Sequence, residues 1–467
     1  MLMSYSSLNA APVIKGRFSG GRGRLLLLFA FLIAPSAPID AGTNLSRKLA
    51  VAWNDVNHRT GWVQAMDVDP PWNVSSDRIE IGPDALLRFA AGKLFVLRPS
   101  EDIISVVDPA TWKITRSYSL ASGTEPEDIA VTGEDTAFVT GRRATHLIRL
   151  NLVSGATQNV ADLGLFADPD GVPDLGGMAL HGGRLLVQVR RLNRDVSRGF
   201  VPPAYLAVVD AATGQLVDVD PFVNGVQAIQ LAGTPPKRVM QFIPQARRLL
   251  LSATGDFFDE GGIEMIDLDS WRSLGLVVHE VHGFTGGDTG SFVMVTHERG
   301  YLVYTTDLTT SSHLNEFTLA AGPAPLPVFT IVGFLSPALV FEHNGNRMFF
   351  ANSDRSQPGV RVFNATTAEP LTTDPVPTGG PPSDLALLSD GPFSVQPASL
   401  SVGLHAGLRI AGTTGATYRI EFVNQVDATN WMTLTNLTLP ASPYFWADPD
   451  SVTNQSRRYY RAVTDSN

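Results

Sequence analysis

The segment ADPDGVPDLGGM places three carboxylates, Asp168, Asp170 and Asp174, on one short stretch of chain. Hard divalent cations take several oxygens from a tightly turned loop, and D-x-D-G sets two carboxylates close together with Gly171 free to take the sharp turn. Calcium is the cofactor such a loop would hold, with Asp168, Asp170 and Asp174 as its ligands. The loop lacks the full twelve-residue calcium pattern with its closing Glu, so a polar turn whose Asp side chains accept their own backbone N–H groups accounts for it equally well. Downstream, RRLNRDVSRGFVPP carries Arg190, Arg191, Arg194 and Arg198, which can pair with the acidic loop, with a neighbouring sheet or with an anionic ligand through forked hydrogen bonds. A second acidic turn, TGDFFDEGG, carries Asp256, Asp259 and Glu260. Arg190, Arg191, Arg194, Asp256, Asp259 and Glu260 are therefore the candidate ligand-binding residues.

A complete catalytic set is not found. DTGS at 288–291 copies the aspartic-protease signature but follows TGG instead of an apolar strand and occurs once, whereas that chemistry needs two carboxylates sharing a proton. In HEVHG, His279 and His282 fall one residue short of the helical zinc spacing and would point to opposite faces of a strand. Neither a G-x-S-x-G elbow nor a phosphate-cradling Gly-rich loop is present. With no cysteine in 467 residues, disulfides, thiolate metal sites and cysteine nucleophiles are excluded.

The elements that must position these loops are visible as a repeat. Short β-rich runs end in Asp67, Asp108, Asn151, Asp210, Asp267, Thr318 and Asn364, at intervals of 41 to 59 residues. In each, apolar or β-branched residues lead into a hairpin whose Asp or Asn can accept hydrogen bonds from its own turn; Thr318 breaks the pattern. Such a period predicts one four-stranded unit per repeat, hence seven units. The run PPSDLALL at 381–388 reads as the first strand of a unit whose other strands are supplied by LAVAWNDVNHRTGWVQAMDVD near the start. Joining the two ends would close a ring and leave only short, protected sheet edges.

The stretch SVVDPATWKITRSYSLASGTEPEDIAVTGEDTAFVTG, 105–141, resembles a repeat of the YVTN family of seven-bladed propellers, with its V-x-D-x-x-T turn, Gly-x-x-Pro link and I-A strand. RVFNATTAEPLTTDPVPTGGPPSDLALL follows the same scheme with Asn364 in place of Asp. The likeness covers residues 50–390 and implies the fold; propellers host many unrelated activities, so it does not fix a function. Propeller lactonases, hydrolases and lyases work with His, Glu, Arg or a metal around the central channel, which makes His181, Arg190 and His343 the residues to watch for that alternative.

Residues 1–41 read as a secretory signal peptide: Lys15, Arg17, Arg22 and Arg24 precede the apolar LLLLFAFLI, and APSAPIDAG supplies small residues up to cleavage after Ala41. That apolar run is short of the ~20 residues a membrane span needs, so no transmembrane span is expected in the mature chain. Export without cysteine fits a bacterial protein that is secreted, extracellular or on the cell surface, with the periplasm as a further location. A net charge of −10 and the absence of a Lys/Arg tract in the mature region exclude nucleic acid as a partner.

After SDGPFSVQPAS the chain alternates cleanly with period two, and residues 391–467 are expected to form a small antiparallel β-sandwich with Tyr418, Ile420 and Phe422 facing its core. Its YRIEFVNQVDATNWMTL and DPDSVTNQSRRYYRA segments resemble a C-terminal module of secreted bacterial proteins, which implies attachment. Trp431 and Trp446 could stack on sugar, though a domain this small needs its aromatics for its core. The reading is an all-β chain: a seven-bladed β-propeller over 42–390 followed by the sandwich. It acts as a monomeric binding protein for an extracellular protein or polysaccharide, and the propeller hydrolase, lactonase or lyase is the alternative.

Overall fold

A computed structural model describes residues 47–193, 195–197, 199–243, 247–255, 261–280, 288–307, 311–324, 326–332, 338–388, 406–413, 416–425, 428–439, 442–448 and 458–463. The expected signal peptide lies outside these residues, as do Arg194, Arg198, Asp256, Asp259, Glu260 and His282. The chain divides into two compact units, Met1–Pro392 and Phe393–Asn467. Among the described residues there is no α-helix, and none is long and apolar enough to cross a membrane.

The first unit is a succession of antiparallel sheets. The first combines β1 (Lys48–Asn54), β2 (Gly61–Asp67) and β3 (Val74–Ile81). Next come β4 (Leu86–Ala90), β5 (Lys93–Arg98), β6 (Ile103–Asp108) and β7 (Lys113–Ser119), then β8 (Pro126–Val131), β9 (Thr136–Gly141), β10 (His146–Asn151) and β11 (Thr157–Asp162). The following sheet holds β12 (Leu175–His181), β13 (Arg184–Val189) and β14 (Tyr205–Asp210), with short β15 (Leu216–Val217) and β16 (Ile229–Gln230) both on β14. It is followed by β17 (Pro236–Ile243), β18 (Arg248–Ala253), β19 (Gly262–Asp267) and β20 (Arg272–His279). Then come β21 (Asp288–Met294), β22 (Arg299–Asp307), β23 (Ser311–Thr318), β24 (Gly322–Pro323) and β25 (Phe329–Val332). The last sheet holds β26 (Leu339–Glu342), β27 (Arg347–Asn352), β28 (Gly359–Asn364) and β29 (Val376–Pro377).

The remaining strand of this unit, β30 (Pro382–Leu387), joins the first sheet, pairing Leu387 with Leu49 and Leu385 with Val51. The two ends of the unit therefore share one sheet, in the order β3-β2-β1-β30. The leading strand of each sheet touches that of the next: β4 meets β8, β8 meets β12, and so on through β17, β21 and β26 to β30, which returns to β4.

The cores explain why the strands read as continuous apolar runs. A hydrophobic cluster sits between each sheet and the next, and neighbouring residues of one strand serve opposite sides. Leu94 and Val96 of β5 pack toward the first sheet, Phe95 and Leu97 toward the sheet of β8. Leu49 and Val51 of β1 pack against β27 and β28, while Ala50 and Ala52 face β4 and β5. A sheet covered on both faces has no polar side to alternate with.

Each residue of the sequence repeat ends the third strand of its sheet, and all but Asp67, whose carboxylate accepts from the Asn73 side chain instead, cap the following turn with their side chains. Asn151 Oδ1 accepts from the N–H groups of Val153 (2.9 Å) and Ser154 (2.6 Å), and Asn364 Oδ1 from Thr366 (2.8 Å) and Thr367 (3.0 Å). Asp210 and Asp267 do the same. Thr318, which departs from the Asp/Asn rule, still accepts from the N–H of Ala321 through its hydroxyl.

In the second unit, β31 (Ala406–Ile410) pairs with β34 (Tyr444–Asp448), and β32 (Thr417–Val423) lies between β33 (Met432–Thr438) and β35 (Tyr459–Val463). Its core is Ile410, Ile420 and Leu439. The expected Tyr418, Ile420, Phe422 face holds only in part. The pairing with β33 shifts register between Ile420 and Glu421; Ile420 and Val423 are buried, while Tyr418 and Phe422 are half-buried. Trp446 packs on the core, and Trp431 lies under the guanidinium of Arg461.

Candidate functional site

The acidic loop connects β11 to β12, and the arginine insertion connects β13 to β14. Asp168 is buried and serves the loop itself: its Oδ2 accepts from Asn193 Nδ2 (2.7 Å), and its Oδ1 from the N–H of Asp170 (3.3 Å). Asp170 is exposed and accepts from the N–H of Val172 (2.8 Å). These two carboxyls are linked. The hydrogen bond to Asp168 and then burial push Asp170 up, whereas Asp168 sits below the ordinary range because the Asp170 and Asn193 hydrogen bonds outweigh its burial. Among the described residues no group of three or more His, Asp or Glu side chains is arranged to hold a metal ion.

Asp174 differs from both. It immediately precedes β12, in a left-handed backbone conformation (φ 51°), and only 8% of its surface is exposed. Its Oδ2 is buried with no hydrogen-bond partner. Burial pushes its carboxyl up to about 6, with Arg190 pulling the other way and Asp170 and Asp168 adding to the rise. An acceptor buried without a donor costs roughly 1–3 kcal/mol, so its retention in a native fold calls for an explanation.

Arg190 is the insertion residue that reaches this site. Its Nε donates to the carbonyl of Asp174 and its Nη2 to the carbonyl of Leu175, both at 3.1 Å, while Nη2 also lies 3.2 Å from Glu127 Oε1. Glu127, from β8 of the neighbouring sheet, accepts as well from Arg142 Nε at 2.6 Å. Burial would raise Glu127, but Arg190 and Arg142 together hold it below the usual carboxylate range. Arg191 turns away: its Nη1 donates to the carbonyl of Pro203 (2.9 Å) and its guanidinium lies over Tyr205.

Asp170, Asp174, Arg142 and Arg190 line a cavity of about 310 Å³, with Glu125, Arg143 and Asp195 on the rest of its charged wall. A second cavity of about 680 Å³, with Asp84, Ser100 and Asp102 on its wall, shares Glu125 and Arg142 with the first. His181 and His343 belong elsewhere. His181 ends β12, seven strand residues from Asp174, and its ring packs on Phe242; His343 follows β26 in the turn to β27, exposed. At ~3.3 Å per residue, His181 is about 23 Å along the strand from Asp174.

Sequence reading missed the polar groups of the leading strands. Asp128 of β8 is fully buried: Oδ1 accepts from Arg88 Nε (2.8 Å) and from Ile129 N–H (2.8 Å), Oδ2 from Met178 N–H of β12 (2.8 Å) and from Arg88 Nη2. Asp384 of β30 repeats the scheme, accepting from Leu385 N–H (2.9 Å), from Leu87 N–H of β4 (2.8 Å) and from Arg238 Nη2 of β17. Arg88, Arg238 and Asp384 border an inner cavity of about 270 Å³. The signal was available, since both aspartates stand two residues after a proline, in PED at 126–128 and PSD at 382–384.

With its successive four-stranded antiparallel sheets, the first unit has a propeller-like all-β fold. No protein-family description and no curated protein matches the sequence. Solved structures do match the fold. A Bacteroides uniformis protein proposed to be a 6-phosphogluconolactonase aligns with TM-score 0.52 and 11% identity over 73% of this chain and 99% of its own. A Bacteroides fragilis protein with the same proposed activity aligns with TM-score 0.50 and 12% identity over 74% and 99%. Hydrazine synthase from Kuenenia stuttgartiensis aligns with TM-score 0.46 and 14% identity over 60% and 76%. At such identities the likeness concerns fold alone.

Proposed function

We propose that the first unit is a seven-bladed propeller of the YVTN type, that the second is a β-sandwich attachment module, and that the chain is an exported bacterial binding protein. The ligand site in this reading is the cavity at Asp174, built from loops at one end of the sheets of β4, β8 and β12. The observation that carries it is the separation of the chemical groups. The carboxylates and arginines converge on the cavity, whereas His181 and His343 stand at turns of the opposite strand ends. A rigid ring holding variable loops over a cavity is a common way to build a recognition surface. Export is supported by the basic, apolar and small-residue succession in residues 1–41.

The proteins proposed to be 6-phosphogluconolactonases make lactone hydrolysis the reaction to test against this reading. Purified protein incubated with a panel of sugar lactones should give no turnover above the uncatalysed rate. Turnover that disappears in both Asp174→Asn and Glu127→Gln would replace the binding protein with a hydrolase.

A further inference from the structure

We propose that the cavity at Asp174 binds a small organic ammonium ion, a deepening that rests on the binding reading above. The buried part of the wall leaves an acceptor open. Arg142 is turned to Glu127 through Nε (2.6 Å) and Nη2 (2.5 Å), and its Nη1 lies 3.7 Å from Glu125. Arg190 is committed through Nε and Nη2 to two carbonyls and Glu127. Acceptors are left over: Asp174 Oδ2, buried without a donor, and the carboxylate of Asp195, which has no partner among the described residues.

A ligand that completes Asp174 must donate to its buried Oδ2. An ammonium group offers three donors and a positive charge, whereas a hydroxyl offers one donor and no charge to set against the carboxylates; Arg143, the third arginine of the wall, stands on the exposed rim with its Nε 3.7 Å from Glu125. A divalent cation would need several converging oxygens, and among the described residues no such group of three exists. Charge points the same way. Three arginines face four carboxylates on the wall, and Arg142 and Arg190 also neutralise Glu127 behind it, so the open space is acidic. A volume of about 310 Å³ admits a short aliphatic chain behind the ammonium head.

The test is calorimetric titration of the full-length protein at neutral pH with diaminobutane, butanediol and calcium chloride as separate probes. Diaminobutane should bind saturably with one site, weaken about tenfold or more in Asp174→Asn, as expected for loss of a charge-assisted hydrogen bond, and weaken less in Asp195→Asn. Butanediol should not bind. Asn tolerates the left-handed backbone at position 174; should that variant still fail to fold, Asp195→Asn on the exposed rim decides. Absence of diaminobutane binding, equal affinity in the variants, equal binding of butanediol, or Asp174-dependent binding of calcium in its place would each overturn the ammonium proposal. A failure here leaves lactone turnover unchanged, so it is distinguishable from failure of the binding reading.

Discussion

Asp128 and Asp174 are both aspartates buried in the first unit, beside arginines, at the leading strands of adjacent sheets, yet their surroundings are opposite. Every oxygen of Asp128 is occupied by donors from three strands, and Asp384 repeats that arrangement where the ends of the unit join. Asp174 keeps an oxygen that nothing in the fold satisfies. A carboxylate that accepts N–H groups from its own strand and the next, with an arginine for its charge, ties sheets together. One that faces a cavity without a donor contributes nothing to that tie and raises the energy of the folded state.

The largest effect expected from this contrast is at the tie. Asp384→Ala strands Leu87 N–H and the guanidinium of Arg238 at the point where β30 meets β4. Breaking a buried pair by removing one partner typically costs about 3–5 kcal/mol, so urea unfolding should show a loss of that order. A loss under about 1 kcal/mol would mean that packing alone joins the sheets. Asp128→Ala should behave alike through Arg88 and Met178.

The second effect has the opposite sign. Asp174 has a carboxyl raised to about 6 in the folded protein against 3.8 for the ordinary group, so its ionisation disfavours folding. The stability it contributes is complete below about pH 4 and is lost as pH rises through about 6. That rise corresponds to about 3 kcal/mol at most. Asp174→Asn should therefore be more stable than the parent by about 2 kcal/mol at pH 8 and equal to it at pH 4, by thermal unfolding across that range. A variant less stable at pH 8 would show that Asp174 supports the fold and does not burden it. Stabilisation together with loss of diaminobutane binding would be the stability–function trade expected of a ligand site.

How far this contrast could be read in the sequence follows from where each partner lies. The turn-capping residues Asn151, Asp210 and Asn364 were legible because their partners lie two or three residues away, and closure was legible because PPSDLALL lacked strands of its own. The Asp174 cavity was only half legible. Asp170, Asp174 and Arg190 stand near one another in the chain, but Glu127 and Arg142 come from another sheet, and no local pattern joins them. Arg191, adjacent to Arg190, was an equal candidate in sequence and faces Pro203 instead, because the chain turns left-handed at Arg191 (φ 55°) just past the end of β13.

Exposed, satisfied groups complete the comparison with smaller effects. Asn364→Ala removes the acceptor for two backbone N–H groups that water can partly replace, and a cost of about 1 kcal/mol in urea unfolding is expected. A cost as large as that of Asp384→Ala would remove the distinction between turn caps and ties across sheets.

The smallest effects separate the capping side chain from the backbone it caps. Four residues after each cap the chain turns left-handed: Trp112, Gly155, Gly214, Trp271, Gly322 and Ala368 all have φ between 53° and 79°. At Gly155 and Ala368 the N–H returns to the carbonyl of the capping residue at 2.8 Å, so the geometry is the same whichever residue is present. A Cβ on Gly155 would meet nothing closer than Tyr118 Cδ1 at 3.6 Å. Gly155→Ala should therefore cost the backbone penalty alone, about 1 kcal/mol. Ala368→Gly relieves that penalty but gives up a methyl half-packed against the cluster of Phe350 and Phe363, so its gain should be smaller than the loss at Gly155. Urea midpoints moving in opposite directions would place the strain in the turn itself; midpoints falling together would place it in the packing around Ala368.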